Sequence, residues 1–416
     1  MLSLKNKAAM ITAGLIILQN TISFAAPVQL SLEQSIDFAL KNNPSIQIAD
    51  VDKERSVWGV NEAKAGKMPT VSLSSGYSYQ GNSGQDSVNN SLRMNWQLYN
   101  GGRTDAQIDQ AKLNVASADI NVEKAKQQLK LDTTTAYYNV LGTKNMQSVN
   151  EATVNNLKSH LRIVQAKYET GVVAKSDLLR AEVELANAEQ NLIKAQNQQE
   201  LAITTLLNTM NMDGDTELNL AGELQYQADT RTLEESIALA KHNRPEVALA
   251  KTTIDSAAKG IEIAESNNRP SVSMSASSGW NDTLLPGDDN NWSVGLSASW
   301  NVFDAGVTKS KINQAQSSKS KAELQAEQVA DTVEQDVRQS YLGMKEAEKR
   351  LQTTEVAANK ANEDLYIAQE TYNAGIGTNL DVIDAQLAFT QAKTNHVQAL
   401  YDYNINKAKL DKAIGL

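Results

Sequence analysis

The sequence contains no cysteine, little proline and few aromatic residues. Its 416 residues include 6 prolines, and aromatic side chains make up 5% of the chain. Without cysteine, the chain can form neither disulfides nor the thioether that attaches lipid to a mature N-terminus. The mean hydropathy of −0.42 and the abundance of Ala, Gln, Asn, Lys and Glu favour long helices with polar faces over a thick hydrophobic core.

Long apolar runs are also absent, except near the N-terminus. Met10 to Phe24 is mostly apolar, follows the basic residues Lys5 and Lys7, and is followed by Ala25. We interpret residues 1–25 as a secretory signal cut after Ala25, rather than as a membrane anchor, which needs about 20 apolar residues. No other run approaches that length, so we expect no transmembrane helix in the mature chain.

Positive charge is in deficit. The net charge is −10, and it becomes −12 when Lys5 and Lys7 leave with the signal. An acidic surface argues against a nucleic-acid partner, because phosphate contacts need Lys and Arg. Simple solubility explains the acidity equally well.

The sequence does contain an internal repeat, whose two copies are offset first by 201 residues and later by 204. The matching segments are Leu32–Ile36 with Leu233–Ile237, Met68–Pro69 with Arg269–Pro270, Trp96–Tyr99 with Trp300–Phe303, and Tyr168–Gly171 with Tyr372–Gly375. We therefore predict two repeats, at residues 26–226 and 227–416. Each copy runs through two short helices, two strands, a long helix and a return helix.

Each repeat holds two segments in which apolar and polar side chains alternate. We expect strands at residues 70–80, 91–99, 271–280 and 292–303. Alternation over about ten residues, with aromatics towards the ends, is typical of strands in a membrane-spanning β-barrel. A soluble hairpin packed on the helices would show the same pattern, so the strands alone do not decide between the two.

After each strand pair, apolar residues with 3,4 spacing predict a long helix, at residues 104–168 and 307–372. A second apolar stripe, begun by Leu113, Ala116 and Ile120, indicates a helical neighbour on each side. The first of these helices would be about 97 Å long at roughly 1.5 Å per residue. That length does not fit a compact domain.

A tight turn follows each long helix. Gly171 and Gly375 can adopt the left-handed conformation that ends a helix. We expect return helices at residues 176–208 and 381–413, with Ser176, Asp177 and Asp381 at their starts as caps.

Four strands cannot close a barrel, because known single-chain barrels begin at about eight strands. Strands can cross lipid only in a closed barrel. If these segments cross a membrane, several chains must share one barrel. Three copies of four strands would give twelve.

The sequence resembles the TolC family of outer-membrane efflux proteins over essentially the whole mature chain. The likeness rests on the duplication and on motifs that recur in order: Asn43-Pro44 and Arg244-Pro245, Tyr99–Gly102 and Phe303–Gly306, Tyr168–Asp177 and Tyr372–Asp384. Each motif alone is weak, but the order, found twice, is specific. The resemblance implies a mainly helical homotrimer, with a twelve-stranded β-barrel in outer-membrane lipid and a long α-helical barrel in the periplasm.

The resemblance also implies a function. Proteins of this family are passive exit ducts of tripartite efflux or type I secretion systems, docked at their helical tips by a periplasmic adaptor and an inner-membrane pump. They are closed at those tips when idle. In the family, closing contacts involve the positions of Tyr372 and Asp177 and an arginine at the position of Gly377. That arginine is missing here, so one contact is lost or is replaced by a residue such as Lys175.

The family's constriction is lined by two acids that match Asp381 and Asp384. Three residues apart at a helix start, these acids lie on one face. Threefold symmetry would bring six carboxylates together, which should attract cations and hinder anions. A cap role explains Asp381 equally well, whereas it explains Asp384 less readily.

Two other classes of protein are less consistent with the sequence. A periplasmic coiled-coil adaptor or structural protein remains the alternative, although such adaptors carry one helical hairpin where this chain carries two. An enzyme would need a site, and His160, His242 and His396 stand singly on helices without metal-ligand partners. We interpret them as surface residues and predict no catalytic residue, cofactor or metal.

Overall fold

The computed structural model describes residues 28–82, 84–281, 286 and 291–416, so the proposed signal at residues 1–25 lies outside it. The described chain is mainly helical with a small β part, and its elements form two similar sets, as the sequence predicted. In chain order they are β1 (Val28–Leu30), α1 (Leu32–Asn42), α2 (Pro44–Ala65), β2 (Thr70–Gln80), β3 (Gln85–Asn100), α3 (Arg103–Glu169), α4 (Lys175–Met210), β4 (Leu218–Leu220), α5 (Leu233–Asn243), α6 (Pro245–Glu265), β5 (Ser271–Asn281), β6 (Asn291–Ser299), α7 (Val307–Asn373) and α8 (Asn379–Ala413).

The two sets start with the same local chemistry. α1 begins with a capping box of Ser31 and Gln34, and α5 begins with one of Thr232 and Glu235. α2 and α6 both have proline in the first turn, where the missing amide costs no helical hydrogen bond. The residues that start these helices therefore recur in both repeats.

The four long strands form one antiparallel sheet in the order β2-β3-β5-β6. Residues directly opposite each other share a face, and the register places like residues in rows. One row is apolar, with Val71, Met94, Ala276 and Val294. The next is polar, with Ser72, Arg93, Ser277 and Ser293. The sheet is thus amphipathic across all four strands.

Two strands differ from their predicted ranges. β3 begins at Gln85 rather than at residue 91, because its polar first residues pair with the far end of β2 despite lacking apolar alternation. β6 ends at Ser299 rather than at residue 303. Ser299 pairs with Ser271, the first residue of β5, and Pro270 before it has no amide to continue the ladder.

The junctions between strand and helix are also duplicated. The Trp96 indole donates to the Lys67 carbonyl oxygen at 2.8 Å, and the Trp300 indole donates to that of Asn268 at 3.0 Å. In equivalent contacts, the Asn100 side chain accepts from the Thr104 amide at 3.2 Å, and the Asp304 side chain accepts from the Thr308 amide at 2.7 Å. Each sheet end is thereby fixed to the start of a long helix.

The long helices form two antiparallel hairpins, α3 with α4 and α7 with α8, and α3 also packs against α8. At about 1.5 Å per residue, the 67 residues of α3 or α7 span about 100 Å. One apolar core lies where α1, α3 and α4 meet, around Leu206 and Met210, and another lies between α7 and α8, around Val337 and Tyr403. No helix within the described ranges has the length and apolar composition needed to cross a membrane.

The sequence analysis did not predict a short parallel pair of strands. β1 pairs with β4, in register from Val28 with Leu218 to Leu30 with Leu220. Three residues are too few to show an alternating pattern. This pair ties the start of the described chain to the linker between the repeats.

Candidate functional site

The candidate site lies at the tips of the two hairpins, where four helices end or begin. Gly171 (φ 77°) and Gly375 (φ 82°) adopt the left-handed conformation that we predicted for these turns. The Val172 amide donates back to the Lys167 carbonyl at 2.8 Å, and the Ile376 amide donates to that of Thr371 at 3.1 Å. Both long helices therefore end in the same type of turn.

The first tip has no side-chain cap. α4 begins at Lys175, and its N-cap residue, Ala174, has no side chain that can accept from the amides. The predicted capping role of Ser176 is wrong, because Ser176 lies within the first turn. Asp177 lies in that turn too, where its charge suits the helix dipole. Lys175 and Ser176 are exposed.

The second tip is capped by a box of Thr378 and Asp381. Asp381 Oδ2 accepts from the Thr378 amide at 2.8 Å and from its hydroxyl at 2.7 Å, and the Asp381 amide donates to Thr378 Oγ1 at 3.2 Å. These bonds from Thr378 favour the carboxylate and hold the pKa of Asp381 below its usual range. Asp381 is therefore a cap residue, and both hydrogen bonds that its carboxylate accepts from Thr378 use Oδ2, which leaves Oδ1 for other contacts.

Asp384 lies almost one turn further along α8 and is also exposed, whereas Val382, Ile383 and Ala385 between and beside the two acids are buried. Within the described residues its carboxylate makes no hydrogen bond or ion pair. Asp381 and Asp384 thus form an acidic, solvent-facing edge on α8. Asp384 has no visible structural task there.

Tyr372 lies beneath this edge with 3% of its surface exposed. The centroid of the Tyr372 ring is 5.1 Å from that of the His160 ring, and the Lys167 ammonium lies 3.9 Å from the centroid of the Tyr372 ring. Burial, together with the negative charge of Asp177, raises the pKa of Tyr372. Its hydroxyl is buried and has no hydrogen-bond partner in the described part of the chain. The predicted pair of Tyr372 and Asp177 is thus close but not hydrogen-bonded.

Asn379 joins three helices at this site. Its side-chain nitrogen donates to the Asp177 carbonyl on α4 at 3.1 Å, and its oxygen lies 2.7 Å from His160 Nε2 on α3. Asn379 is 4% exposed and His160 is 5% exposed. The interpretation of His160 as a surface residue is therefore wrong. A signal existed in the sequence, since Thr153, Leu157, His160 and Val164 follow the 4,3,4 spacing of a buried helix face.

Gly377 is held in a close turn. Its amide donates to the Thr371 carbonyl at 3.1 Å, and a Cβ added at this position would lie 2.9 Å from Thr371 Oγ1 and 3.0 Å from the Tyr372 nitrogen. An arginine here would need a different turn. The cation nearest to Tyr372 is instead Lys167, whose ammonium also donates to the Tyr372 carbonyl.

Within the described residues, β2 and β6 each pair on one side only, and their amphipathic sheet is joined to long helical hairpins with an acidic tip. This arrangement fits a membrane channel, because strands cross lipid only when a barrel closes. A model of the outer membrane efflux protein family matches residues 35–211 and 236–416. The chain belongs to this family.

Individual relatives agree with the family match. The chain is 25% identical over 406 residues to outer membrane protein TolC of Escherichia coli K12, an alignment that covers 92% of this chain and 82% of that protein. The crystal structure of VceC from Vibrio cholerae superposes with a TM-score of 0.77 at 18% identity, covering 92% of this chain and 96% of that one. The crystal structure of the open state of MtrE from Neisseria gonorrhoeae superposes with a TM-score of 0.78 at 21% identity, covering 92% of this chain and 88% of that one.

Family membership confirms two predictions from the sequence. The chain is an outer-membrane protein, and it serves as an outer-membrane exit duct of efflux systems.

Proposed function

We propose that three copies of this chain form one passive channel, with a shared twelve-stranded β-barrel in the outer membrane and a shared wall of helices in the periplasm. The main support is that β2 and β6 each pair on one side only within the described residues. A free edge in lipid would leave backbone groups unsatisfied, at several kcal/mol each. Pairing β6 of one copy with β2 of the next removes every edge.

The interior of the barrel argues against two copies, and the family resemblance implies three. Two copies would supply eight strands, and a barrel of about eight strands is filled by its own side chains. Three copies supply twelve strands and leave a lumen. The helices support the same assembly, since α4 carries an exposed apolar stripe that one chain leaves uncovered, with Leu179, Val183 and Ile193 each at least half exposed.

Conductance tests this proposal against the alternative of a soluble periplasmic adaptor or structural protein. We expect the protein to be extracted from outer membranes only with detergent and to produce stepwise conductance in planar bilayers. A soluble protein without conductance would refute the channel.

The acidic edge of Asp381 and Asp384 would form the narrow end of this channel. Threefold symmetry would place six carboxylates there, and multivalent cations should bind among them and block the current. Asp384→Asn should weaken this block about tenfold or more when the cation is added on the periplasmic side. Asp364→Asn, at an exposed acid of α7, should leave the block unchanged. An unchanged block in Asp384→Asn would show that Asp384 does not face the pore.

The hairpin tips would dock a periplasmic adaptor and, through it, an inner-membrane pump. Val172 and Ile376 are 70% and 82% exposed at the two tips, where apolar side chains have no folding role. Val172→Asp with Ile376→Asp should abolish export in cells while conductance in bilayers persists. Full export by this double variant would contradict docking at the tips.

A further inference from the structure

The contact between the two hairpins near the tip has an apolar part, formed by Val164, Ala181, Tyr372 and Val382, and a polar part beside it. Hydrogen bonds cross from α3 to α8 at three levels: Thr153 to Thr390 at 3.0 Å, Asn156 to Gln386 at 3.2 Å and His160 to Asn379 at 2.7 Å. An apolar contact would lose its whole burial on separation, whereas polar groups exchange one partner for water at a net cost of about 1 kcal/mol each. The polar part of this contact, here called the seam, can therefore separate in water at modest cost.

His160 is the one member of the seam that can change charge near neutral pH. Asn379 uses its side-chain nitrogen on Asp177, so its oxygen must accept from His160 Nε2, and the neutral ring therefore carries its proton on Nε2. A second proton would go to Nδ1 and leave this hydrogen bond in place, so protonation acts through the charge that it adds to a buried ring. Burial lowers the pKa of His160, and the charge of Lys167 acts in the same direction, whereas the bond to Asn379 opposes them.

The groups around His160 come from all four helices. α3 contributes Lys167, α7 contributes Tyr372, and α8 contributes the uncharged Asn379. α4 contributes Asp177, which is reached through Asn379. A proton on His160 would thus place a second positive charge beside Lys167, and no carboxylate of the described residues is in direct contact with the ring to balance it.

We propose that His160 is a pH-operated latch between the two hairpins: the ring joins α3 to α8 while it is neutral and buried. The positive charge that protonation adds beside Lys167 favours a hydrated ring, which separates α3 from α8 and opens the tip. This regulation rests on the proposed function, because it assumes that the tip is the gate. A hydrated His160 in the separated state regains the ordinary pKa of histidine. The latch therefore contributes its full stability above that pKa, and it loses this stability as the pH falls from there through the lower pKa of the joined state. Each unit of pKa difference shifts the equilibrium about tenfold per chain, and three chains multiply the effect.

The test uses the purified, full-length channel in planar bilayers at constant ionic strength. We expect the open fraction to rise about tenfold or more between about pH 7.5 and about pH 5.5. His160→Gln keeps a donor for Asn379 but cannot titrate, so its open fraction should not change with pH. His242→Gln, at an exposed histidine of α5, and His396→Gln, at the remaining histidine, should keep the full response.

Three outcomes would overturn the latch. The first is a wild-type channel whose open fraction does not change with pH. The second is a pH response that persists in His160→Gln, which would show that another group titrates. The third is a pH response that is lost in His396→Gln, which would assign the response to His396 on α8. A protein that gives no conductance at any pH would refute the proposed function itself, and the latch with it.

A second measurement does not depend on conductance. The chain has no native cysteine, so Val382→Cys, buried at the tip, reports opening through its rate of modification by a thiol reagent. Dividing by the rate for the exposed Val172→Cys corrects for the effect of pH on thiols. This ratio should rise several-fold on acidification with His160 present and stay constant with His160→Gln. A constant ratio in both backgrounds would contradict the latch.

Discussion

At the scale of single residues, two neighbouring acids have different tasks. Asp381 accepts two hydrogen bonds from Thr378 and starts α8, whereas Asp384 is exposed and has no partner within the described residues. The sequence already favoured a cap role for Asp381 over one for Asp384, but it did not identify Thr378 as the partner, because the usual capping box has Glu or Gln at the third helical position rather than Asp. Asp384 is therefore the better probe of the pore.

Thr378→Ala should destabilise the start of α8. Losing an N-cap side chain costs about 1 kcal/mol, and without the Thr378 hydroxyl the pKa of Asp381 should rise towards its usual value. Hydrogen exchange should become several-fold faster at the first amides of α8. Thr232→Ala removes the equivalent cap of α5 and should accelerate exchange there instead. Equal exchange at α8 in wild type and Thr378→Ala would contradict the cap.

Gly377→Ala should disturb the second tip although it adds one methyl group. The new Cβ would lie 3.0 Å from the backbone nitrogen of Tyr372, which cannot rotate away, and overpacking of this kind costs about 1–3 kcal/mol. Limited proteolysis should cut the α7–α8 turn faster. Gly260→Ala in α6, where a Cβ meets nothing within 4 Å, should leave cleavage at this turn unchanged.

At the scale of elements, the helices were easier to predict than what lies between them. Regular 3,4 spacing marks α3 and α7, and glycine marks their ends, so sequence alone indicates the hairpins. The polar seam of α3 and α8 was missed because Thr153 and His160 occupy positions that hydrophobic patterns fill with apolar residues. The start of β3 was missed because pairing with β2, not side-chain pattern, extends it to Gln85.

A repeating alanine also sets the spacing of α3 and α4. Four buried alanines recur every seven residues along α4: Ala181, Ala188, Ala195 and Ala202. Small residues at these positions bring the helices close together, so Ala195→Leu should cost about 1–3 kcal/mol by overpacking. Thermal unfolding of the detergent-extracted protein should show a lower midpoint. Gln196→Leu, at the next position, which is exposed, should change the midpoint little. Equal midpoints for the two variants would argue against close packing of α4 on α3.

At the scale of the whole molecule, the described residues of one chain leave apolar surface and strand edges without a partner. In the described part of the chain, its sheet has an apolar face and two strands that pair on one side only, and its helices carry exposed apolar side chains. Each repeat supplies two strands and one hairpin, and copies of the chain would complete the wall. The repeats differ most at the tips, where only the second has a capping box and an acid pair.

Cross-linking of β2 to β6 between copies tests this assembly most directly. Ser74→Cys on β2 is combined in turn with Ser293→Cys, Gly295→Cys or Ser297→Cys on β6, all on one face of the sheet, so that the register need not be assumed. Single cysteines serve as controls, since equivalent strands of neighbouring copies would lie four strands apart. We predict that at least one pair forms disulfides that link chains into species of two and three, and none larger. No cross-link at any pair, or a ladder that continues beyond three chains, would contradict a closed trimer.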